Sequence, residues 1–123
     1  MSLRIGLMGL PFPPIERIER ISKRLEGKRY DSIWFLDHLV GWFPHLIWIK
    51  EFVGSLAEYS PHTFYETTLS MAITAMATTK KLRIGSGVTE VIRHHPAMIA
   101  QSYATLEHIA SRRIILGIRG LRG

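Results

Sequence analysis

The sequence predicts an α/β fold in which four parallel strands alternate with three helices, in the order β-α-β-α-β-α-β. The second predicted strand, "DSIWFL" at residues 31–36, is apolar on both faces, which is typical of a parallel strand covered on both sides. In "PPIERIERISKRLEG", residues 13–27, isoleucine and leucine recur at spacings that place them on one face of a helix. Strands that alternate with helices form right-handed parallel units. Two architectures stay open, namely a doubly wound open sheet and part of an eight-stranded barrel.

Each further element has its own local signal. The first strand is a short apolar run bounded by prolines, and the third is interrupted by Gly85 and Gly87. The second helix is rich in small residues and methionine, which suits close packing on a sheet. The third helix begins at Pro96 and is expected to bury Ile99, Tyr103, Leu106 and Ile109 or Ala110. The strands are expected at residues 3–10, 31–36, 82–91 and 112–118, and the helices at 13–27, 65–81 and 96–111.

We expect a single domain over residues 1–123, in which residues 37–63 form a long loop after the second strand. A connection of this length in a compact domain is usually functional or disordered. It contains Trp42, Phe43 and Trp48, and "EFVGSLAEY" is a short helical pattern. Three large aromatic residues favour a packed lid over a flexible linker.

The composition limits the class of protein. The chain has 123 residues, of which 46% are hydrophobic, enough for one domain with a core, and it contains no cysteine. The lack of cysteine excludes a disulfide framework and a thiolate zinc site, and it fits a cytoplasmic protein. No apolar run approaches the roughly 18 residues of a membrane span, so we expect no membrane partner.

The net charge of +6 raises the question of nucleic-acid binding. The basic residues are scattered, with one local concentration at Arg112, Arg113, Arg119 and Arg122. No recognised nucleic-acid motif is present, and the aromatic residues are not interleaved with these arginines. A basic surface with a basic tail therefore explains the charge better than nucleic acid does, and we expect no nucleic-acid partner.

Ligands of parallel α/β folds gather at the C-terminal ends of the strands. The second predicted strand is followed there by Asp37, His38 and Trp42. A histidine in this position can donate or accept a proton near neutral pH, and a neighbouring carboxylate can orient it. In the structural alternative, Asp37 caps a turn and His38 is an ordinary loop histidine. Spacing alone leaves both interpretations open.

The third strand ends in "GSGV", where two glycines allow close approach of the main chain to a ligand or a strand bulge. The third glycine of a dinucleotide fingerprint is absent. In the following "RHHP", adjacent histidines are poor ligands for one ion, so we expect no metal site. Arg93 beside a helix that opens at Pro96 favours an anion site for a phosphate or carboxylate.

Three segments together resemble the bacterial-luciferase-like (β/α)8 barrels: "YDSIWFLDHLVGW", "LRIGSGVTEVIRHHPAMIAQSYATLEHIA" and "RRIILGI". The chain is similar to the N-terminal half of the branch of F420 (deazaflavin)-dependent oxidoreductases, which includes methylene-tetrahydromethanopterin reductase and the F420-dependent alcohol and glucose-6-phosphate dehydrogenases. The resemblance covers nearly the whole chain. It implies hydride transfer between the deazaflavin and a substrate carbon, for which the protein supplies orientation and electrostatics.

The resemblance also assigns roles to residues. His38 takes the position of the family's strand-two histidine and Trp42 that of its substrate-facing tryptophan, so these two are the predicted catalytic residues. The resemblance also implies a non-prolyl cis peptide at the bulge of the third strand, between Gly87 and Val88. The cofactor contacts that the resemblance implies are Asp37, Gly87, Val88 and Thr89.

Three features depart from the family pattern. The first strand lacks the acid that some branches carry, and "GIRGLRG" places Arg119 and Arg122 where the family has a glycine and a glutamate. The third departure is length: family barrels need about 250 residues, whereas the 123 residues here offer four strands. Four strands would leave open edges and an uncovered apolar face, so we expect a homo-oligomer that joins half-barrels.

Three functions stay open from the sequence. The first is an F420-dependent oxidoreductase of a small organic substrate, or a truncated derivative of one. The second is an FMN-dependent luciferase-like monooxygenase. The third is a non-catalytic half-barrel whose main property is self-assembly.

Overall fold

The computed structural model describes residues 3–79 and 81–120. Its main sheet consists of the parallel strands β1 (Gly6–Gly9), β2 (Ser32–Phe35), β3 (Arg83–Ser86) and β5 (Ile114–Ile115), in that order. The helices are α1 (Ile15–Gly27), the single turn α2 (Lys50–Val53), α3 (Thr67–Ala77) and α4 (Pro96–Ala110). The predicted α/β class and the predicted alternation of strands and helices are confirmed. Within the described ranges, no helix has the length and apolarity needed to cross a membrane.

The strand order distinguishes between the two architectures that the sequence leaves open. Each strand of the main sheet pairs with the strand that follows it within that sheet, and one register row runs through Leu7, Ile33, Ile84 and Ile114. A doubly wound sheet reverses its order part-way across, whereas a barrel does not. The four strands are therefore arranged as consecutive strands of a (β/α) barrel.

The third and fourth predicted strands are each broken in two. After β3 the chain resumes as β4 (Thr89–Glu90), which pairs in parallel with β6 (Ile118–Arg119) in a separate two-stranded sheet. At the break, the Ser86 hydroxyl donates to the carbonyl of Gly117 and accepts from its N–H, both at 3.1 Å. The glycines of the sequence mark the breaks, but they do not show that the displaced segments pair with each other.

The main core lies between the sheet and the helices. Ile33, Phe35 and Ile84 of the strands pack with Met71 of α3 and Tyr103 of α4, and all five are buried. Helix α4 turns its predicted face to this core, with Ala110 rather than Ile109 as its last buried position.

The basic residues near the C-terminal end do not all lie on the surface, contrary to expectation. Arg112 and Arg119 are exposed, but Arg113 is only 5% exposed. Its guanidinium donates to the carbonyls of Ala75, Leu82 and Ala110 and to the hydroxyl of Thr78. Arg113 therefore links the C-terminal ends of α3 and α4 to β3. Arg122 lies outside the described residues.

Residues 37–63, here called the lid, are packed in part: Trp48 is buried, whereas Trp42 and Phe43 are 39% and 41% exposed. Trp48 and Val53 join Phe12 in a second small core, and the Trp48 indole N–H donates to the carbonyl of Tyr59 at 2.7 Å. The helical pattern "EFVGSLAEY" corresponds to α2 and to the 3-10 turn Gly54–Glu58, and a second 3-10 turn spans His45–Ile47. The lid is thus fixed against the N-terminal segment beside the end of β2.

Candidate functional site at the strand ends

His38 and Trp42 lie side by side where the chain leaves β2. Their ring centroids are 5.6 Å apart and the ring planes are inclined by 44°. His38 is exposed and Trp42 is 39% exposed. The structure therefore brings together the two predicted catalytic residues. One can exchange a proton, and the other offers an aromatic face to a ligand.

Trp42 is held in place by other aromatic rings. Its ring centroid lies 6.2 Å from that of Trp48 and 6.3 Å from that of Phe64, both in edge-on geometry. The chain reaches this position through Gly41, whose N–H donates to the carbonyl of Pro61 at 2.6 Å. A Cβ atom at Gly41 would lie 2.8 Å from the Trp48 ring, so the close approach requires glycine.

Asp37 is turned toward the helices. Its side chain is 9% exposed, and its carboxylate accepts from the Thr67 hydroxyl and from the Glu90 N–H, each at 3.3 Å. The Arg93 guanidinium lies 3.3 Å from the same carboxylate and donates to the main-chain carbonyl of Asp37. Asp37 thus connects the end of β2 to α3 and β4, and the cofactor contact that the resemblance implies for it stays a prediction.

The end of β3 presents one residue pair to the exterior and turns the next residue inward. The Gly87–Val88 peptide is cis, as expected, and Val88 is 40% exposed. Thr89 is only 5% exposed, and its hydroxyl shares a 3.0 Å hydrogen bond with the Tyr103 hydroxyl of α4. Gly87 and Val88 can therefore offer main chain and an apolar side chain to a ligand, whereas the Thr89 side chain is committed to the helix layer. A cofactor contact of Thr89 stays a prediction.

A small cavity of about 110 Å³ lies behind these strand ends, next to the N-terminal ends of α3 and α4. Asp37, Thr67, Thr89, His94 and Tyr103 are among its lining residues. Burial raises the pKa of the Tyr103 hydroxyl, so this group stays a hydrogen-bond donor at neutral pH. Pockets that take drug-sized ligands are about 300–1,000 Å³, so this cavity is too small for a flavin-type ring.

The prediction of an anion site at Arg93 and Pro96 is wrong. Arg93 is paired with two carboxylates, since its Nε also lies 3.1 Å from Glu90 Oε2. The N-terminus of α4 is capped by His95, whose Nδ1 accepts from the Ala97 N–H at 3.1 Å. Both parts of the expected site are thus engaged by groups of the protein itself.

Thr67 is a site residue that sequence reasoning missed. It is the first residue of α3, and its hydroxyl donates to the carbonyl of Leu36 at 3.0 Å as well as contacting Asp37. The available signal was its position, because the helix after each strand of a βαβ unit begins near the end of the sheet where that strand finishes.

These features define a class of protein, namely (β/α)-barrel proteins whose ligand site lies at the C-terminal ends of the strands. The chain belongs to the luciferase-like monooxygenase family, which it matches over residues 2–119. The resemblance drawn from the sequence is thereby confirmed.

Two curated relatives show the range of the family. The phthiodiolone/phenolphthiodiolone dimycocerosates ketoreductase of Mycobacterium kansasii is 38% identical over 106 residues, which cover 85% of this chain and 28% of the relative. The F420-dependent glucose-6-phosphate dehydrogenase of Amycolatopsis mediterranei (strain U-32) is 30% identical over 111 residues, which cover 87% of this chain and 27% of the relative. The chain thus spans about a quarter of the length of the curated relatives it matches.

Solved structures confirm the fold. The coenzyme F420 dependent tetrahydromethanopterin reductase from Methanopyrus kandleri superposes with a TM-score of 0.69 at 22% identity, over 96% of this chain and 27% of that protein. The oxygenating constituent of 3,6-diketocamphane monooxygenase from Pseudomonas putida, in complex with FMN, superposes with a TM-score of 0.71 at 18% identity, over 100% of this chain and 31% of that protein. The neighbours therefore include both F420-dependent and FMN-binding proteins.

Proposed function

We propose that this chain forms the cofactor-side part of an F420-dependent oxidoreductase, which transfers a hydride between the reduced deazaflavin and a small organic substrate. The observation that carries the proposal is the adjacent pair of rings, His38 and Trp42, at the end of β2. The chain is also 30% identical to an F420-dependent glucose-6-phosphate dehydrogenase over 87% of this chain's length.

The groups at the strand ends suit a flat heteroaromatic ring. Trp42 and Val88 are both partly exposed and supply apolar faces, and Gly87 has no side chain to hinder approach to its main chain. These residues would hold the deazaflavin, which supplies the hydride-transfer chemistry when bound.

The side chains of the site would divide the remaining tasks. We assign to His38 the exchange of a proton with the substrate oxygen, because it is exposed and its imidazole nitrogens can donate and accept a proton. The fixed ring of Trp42 would orient the substrate as well as contact the deazaflavin. Asp37 and Thr89 would act on the site through the strand ends that they hold.

FMN is the second candidate cofactor. It is favoured by the family description, luciferase-like monooxygenase, and the same exposed groups suit either ring. Under this alternative the chain would take part in an oxygenation rather than in a reversible hydride transfer.

The experiment that separates these functions is a cofactor-specific turnover assay. Reduced F420 and reduced FMN are each mixed with a panel of ketones and aldehydes, and the cofactor absorbance is followed under argon and under air. Oxidation of reduced F420 under argon that requires both the chain and a substrate supports the proposal. Because air oxidises free reduced FMN by itself, the alternative is supported only by an oxygenated product that forms under air and requires both the chain and reduced FMN. His38→Ala should abolish turnover, whereas His108→Ala, on the exposed surface of α4, is the matched control. Turnover by His38→Ala at the unmodified rate contradicts the assignment of His38.

We also propose that copies of this chain associate through their open apolar surface, in the cytoplasm. Leu7, Met8 and Ile118 are between 39% and 58% exposed on strands β1 and β6. Exposed apolar surface of this kind drives association. Multi-angle light scattering measures the mass directly, and a well-folded monomer at micromolar concentration would refute the association.

A further inference from the structure

Arg93 lies in the turn between β4 and α4, and its guanidinium meets three oxygen atoms. It donates to the main-chain carbonyl of Asp37, lies 3.3 Å from the Asp37 carboxylate, and lies 3.1 Å from the Glu90 carboxylate through Nε. The side chain of Arg93 is 23% exposed and that of Asp37 is 9% exposed. The contacts of Arg93 with Asp37 are therefore shielded from water and stronger than a surface ion pair, whereas the Glu90 side chain is 41% exposed and its ion pair with Arg93 is weaker.

The carbonyl that Arg93 binds belongs to the peptide bond between Asp37 and His38. The preceding carbonyl, that of Leu36, accepts from the Thr67 hydroxyl at 3.0 Å. Two successive peptide groups at the end of β2 are therefore fixed by side chains from other elements, one from α3 and one from the β4–α4 turn. The main chain that carries His38 is held from outside the strand.

The cluster of Asp37, Glu90 and Arg93 also fixes the segment after β3, which forms the other side of the candidate site. The Asp37 carboxylate accepts from the Glu90 N–H at 3.3 Å, and β4 follows directly after Gly87 and Val88. Arg93 bonds to Asp37 on one side and to Glu90 on the other. Its guanidinium therefore sets the distance between the end of β2, which carries His38, and the segment after β3.

We propose that Arg93 is the positioning residue for His38. It acts through the Asp37–His38 peptide and through the link to Glu90, without contact to a ligand. As a statement about catalysis this inference rests on the proposed function, but the placement of His38 is a property of the chain that can be measured without a cofactor.

The test compares two arginines, each of which pairs with an aspartate. One pair lies at the C-terminal ends of the strands and the other at their N-terminal ends. Arg93→Gln removes the cluster at the C-terminal strand ends. Arg83→Gln is the matched control, because Arg83 of β3 pairs with Asp31 at the other end of the strands. The chain is labelled at histidine, and the His38 imidazole resonances, assigned with His38→Ala, are recorded for both variants by NMR. Arg93→Lys keeps the charge without the guanidinium fork, so it tests rescue.

Three results support the proposal. The His38 resonances shift in Arg93→Gln and not in Arg83→Gln, those of His108 stay in place in both variants, and Arg93→Lys restores the His38 signals in part. With an active cofactor, kcat/KM falls by about 10- to 100-fold in Arg93→Gln, as is typical of a misplaced catalytic group, and the loss is in kcat. Arg83→Gln stays within about twofold, because it leaves the site geometry intact.

Unchanged His38 resonances in folded Arg93→Gln would overturn the proposal, as would equal losses of kcat in the Arg93 and Arg83 variants. Where Arg93→Gln does not fold, Arg93→Lys is compared with the parent chain instead: a residual shift of the His38 resonances that Arg83→Lys does not show supports the proposal, and the absence of such a shift overturns it. A shift of His38 in a chain that turns over neither F420 nor FMN would refute the proposed function and leave the positioning by Arg93 standing.

Discussion

Replacement of Arg113 by methionine is expected to remove a large part of the stability of the fold. Arg113 is 5% exposed and donates four hydrogen bonds, to three main-chain carbonyls and one hydroxyl. Two of those carbonyls, of Ala75 and Ala110, lie in the last turns of α3 and α4, where a cation also interacts favourably with the helix dipoles. Methionine fills similar space but donates nothing.

The size of the loss follows from these contacts. Each buried acceptor left without its donor costs about 1 kcal/mol, and more where the donor is charged. Burial lowers the pKa of Arg113, which reflects the cost of keeping its charge away from water, and methionine regains that cost. We therefore expect a net decrease of about 3 kcal/mol in the free energy of unfolding, against a total of about 5–15 kcal/mol for a domain.

The assay is urea unfolding followed by circular dichroism at neutral pH. With a slope of about 1.5 kcal/mol per molar urea, the midpoint should fall by about 2 M. Arg113→Lys should lose about half as much, because an ammonium group cannot reach all four acceptors. The matched control is Arg112→Met, next in sequence but exposed, which should change the midpoint little. Equal stability of the Arg113→Met and Arg112→Met variants would refute the reasoning.

Two further predictions concern packing and pH. A Cβ atom at Gly85 would lie 2.6 Å from the Trp34 ring, so Gly85→Ala should lower the free energy of unfolding in urea by about 1–3 kcal/mol. Adding Trp34→Leu to the Gly85→Ala chain should recover part of that loss. Losses that simply add in the double variant would contradict the contact. Burial of Glu26 opposes its ionisation, but main-chain N–H groups, led by that of Thr79 at 2.8 Å, outweigh it and hold the pKa of Glu26 below its usual range. The stabilisation by Glu26 is therefore complete above about pH 4.5 and is lost as the pH falls through the lowered pKa. Glu26→Gln should be less stable than the parent chain at pH 7 by about 1 kcal/mol and should approach it below about pH 4. A difference that is the same at pH 3 and pH 7 would contradict the linkage.

The regular part of the fold could be predicted from the sequence because local patterns determine it. The spacing of the apolar residues in α1 and α4 fixes which helix face is buried, and the doubly apolar "DSIWFL" fixes a covered parallel strand. The resemblance added the position of the cis peptide at Gly87–Val88 and the choice of a barrel over a doubly wound sheet.

Long-range contacts could not be predicted in the same way. The sequence shows Arg113 as one of several arginines near the C-terminal end, and its burial depends on where α3 and α4 happen to finish. The sequence predicts an anion-binding role for Arg93 because its partner Asp37 is far away along the chain. Which way Thr89 turns depends on the bulge after β3, because a one-residue change of phase exchanges the two faces of a strand. The orientation of Asp37 depends on Thr67 and Arg93, which are far away along the chain.

The most direct test of the central claim is a titration of the chain with F420 and, separately, with FMN, followed by the fluorescence polarisation of each cofactor. The strand-end site predicts saturable binding of F420, weakened at least about tenfold in Trp42→Ala because an aromatic contact is lost, and unchanged in His108→Ala. Saturable binding of FMN without binding of F420 would show that the site takes the alternative cofactor. Binding of neither cofactor, by a chain that circular dichroism shows to be folded, would contradict the claim that the ends of β2 and β3 form a cofactor site.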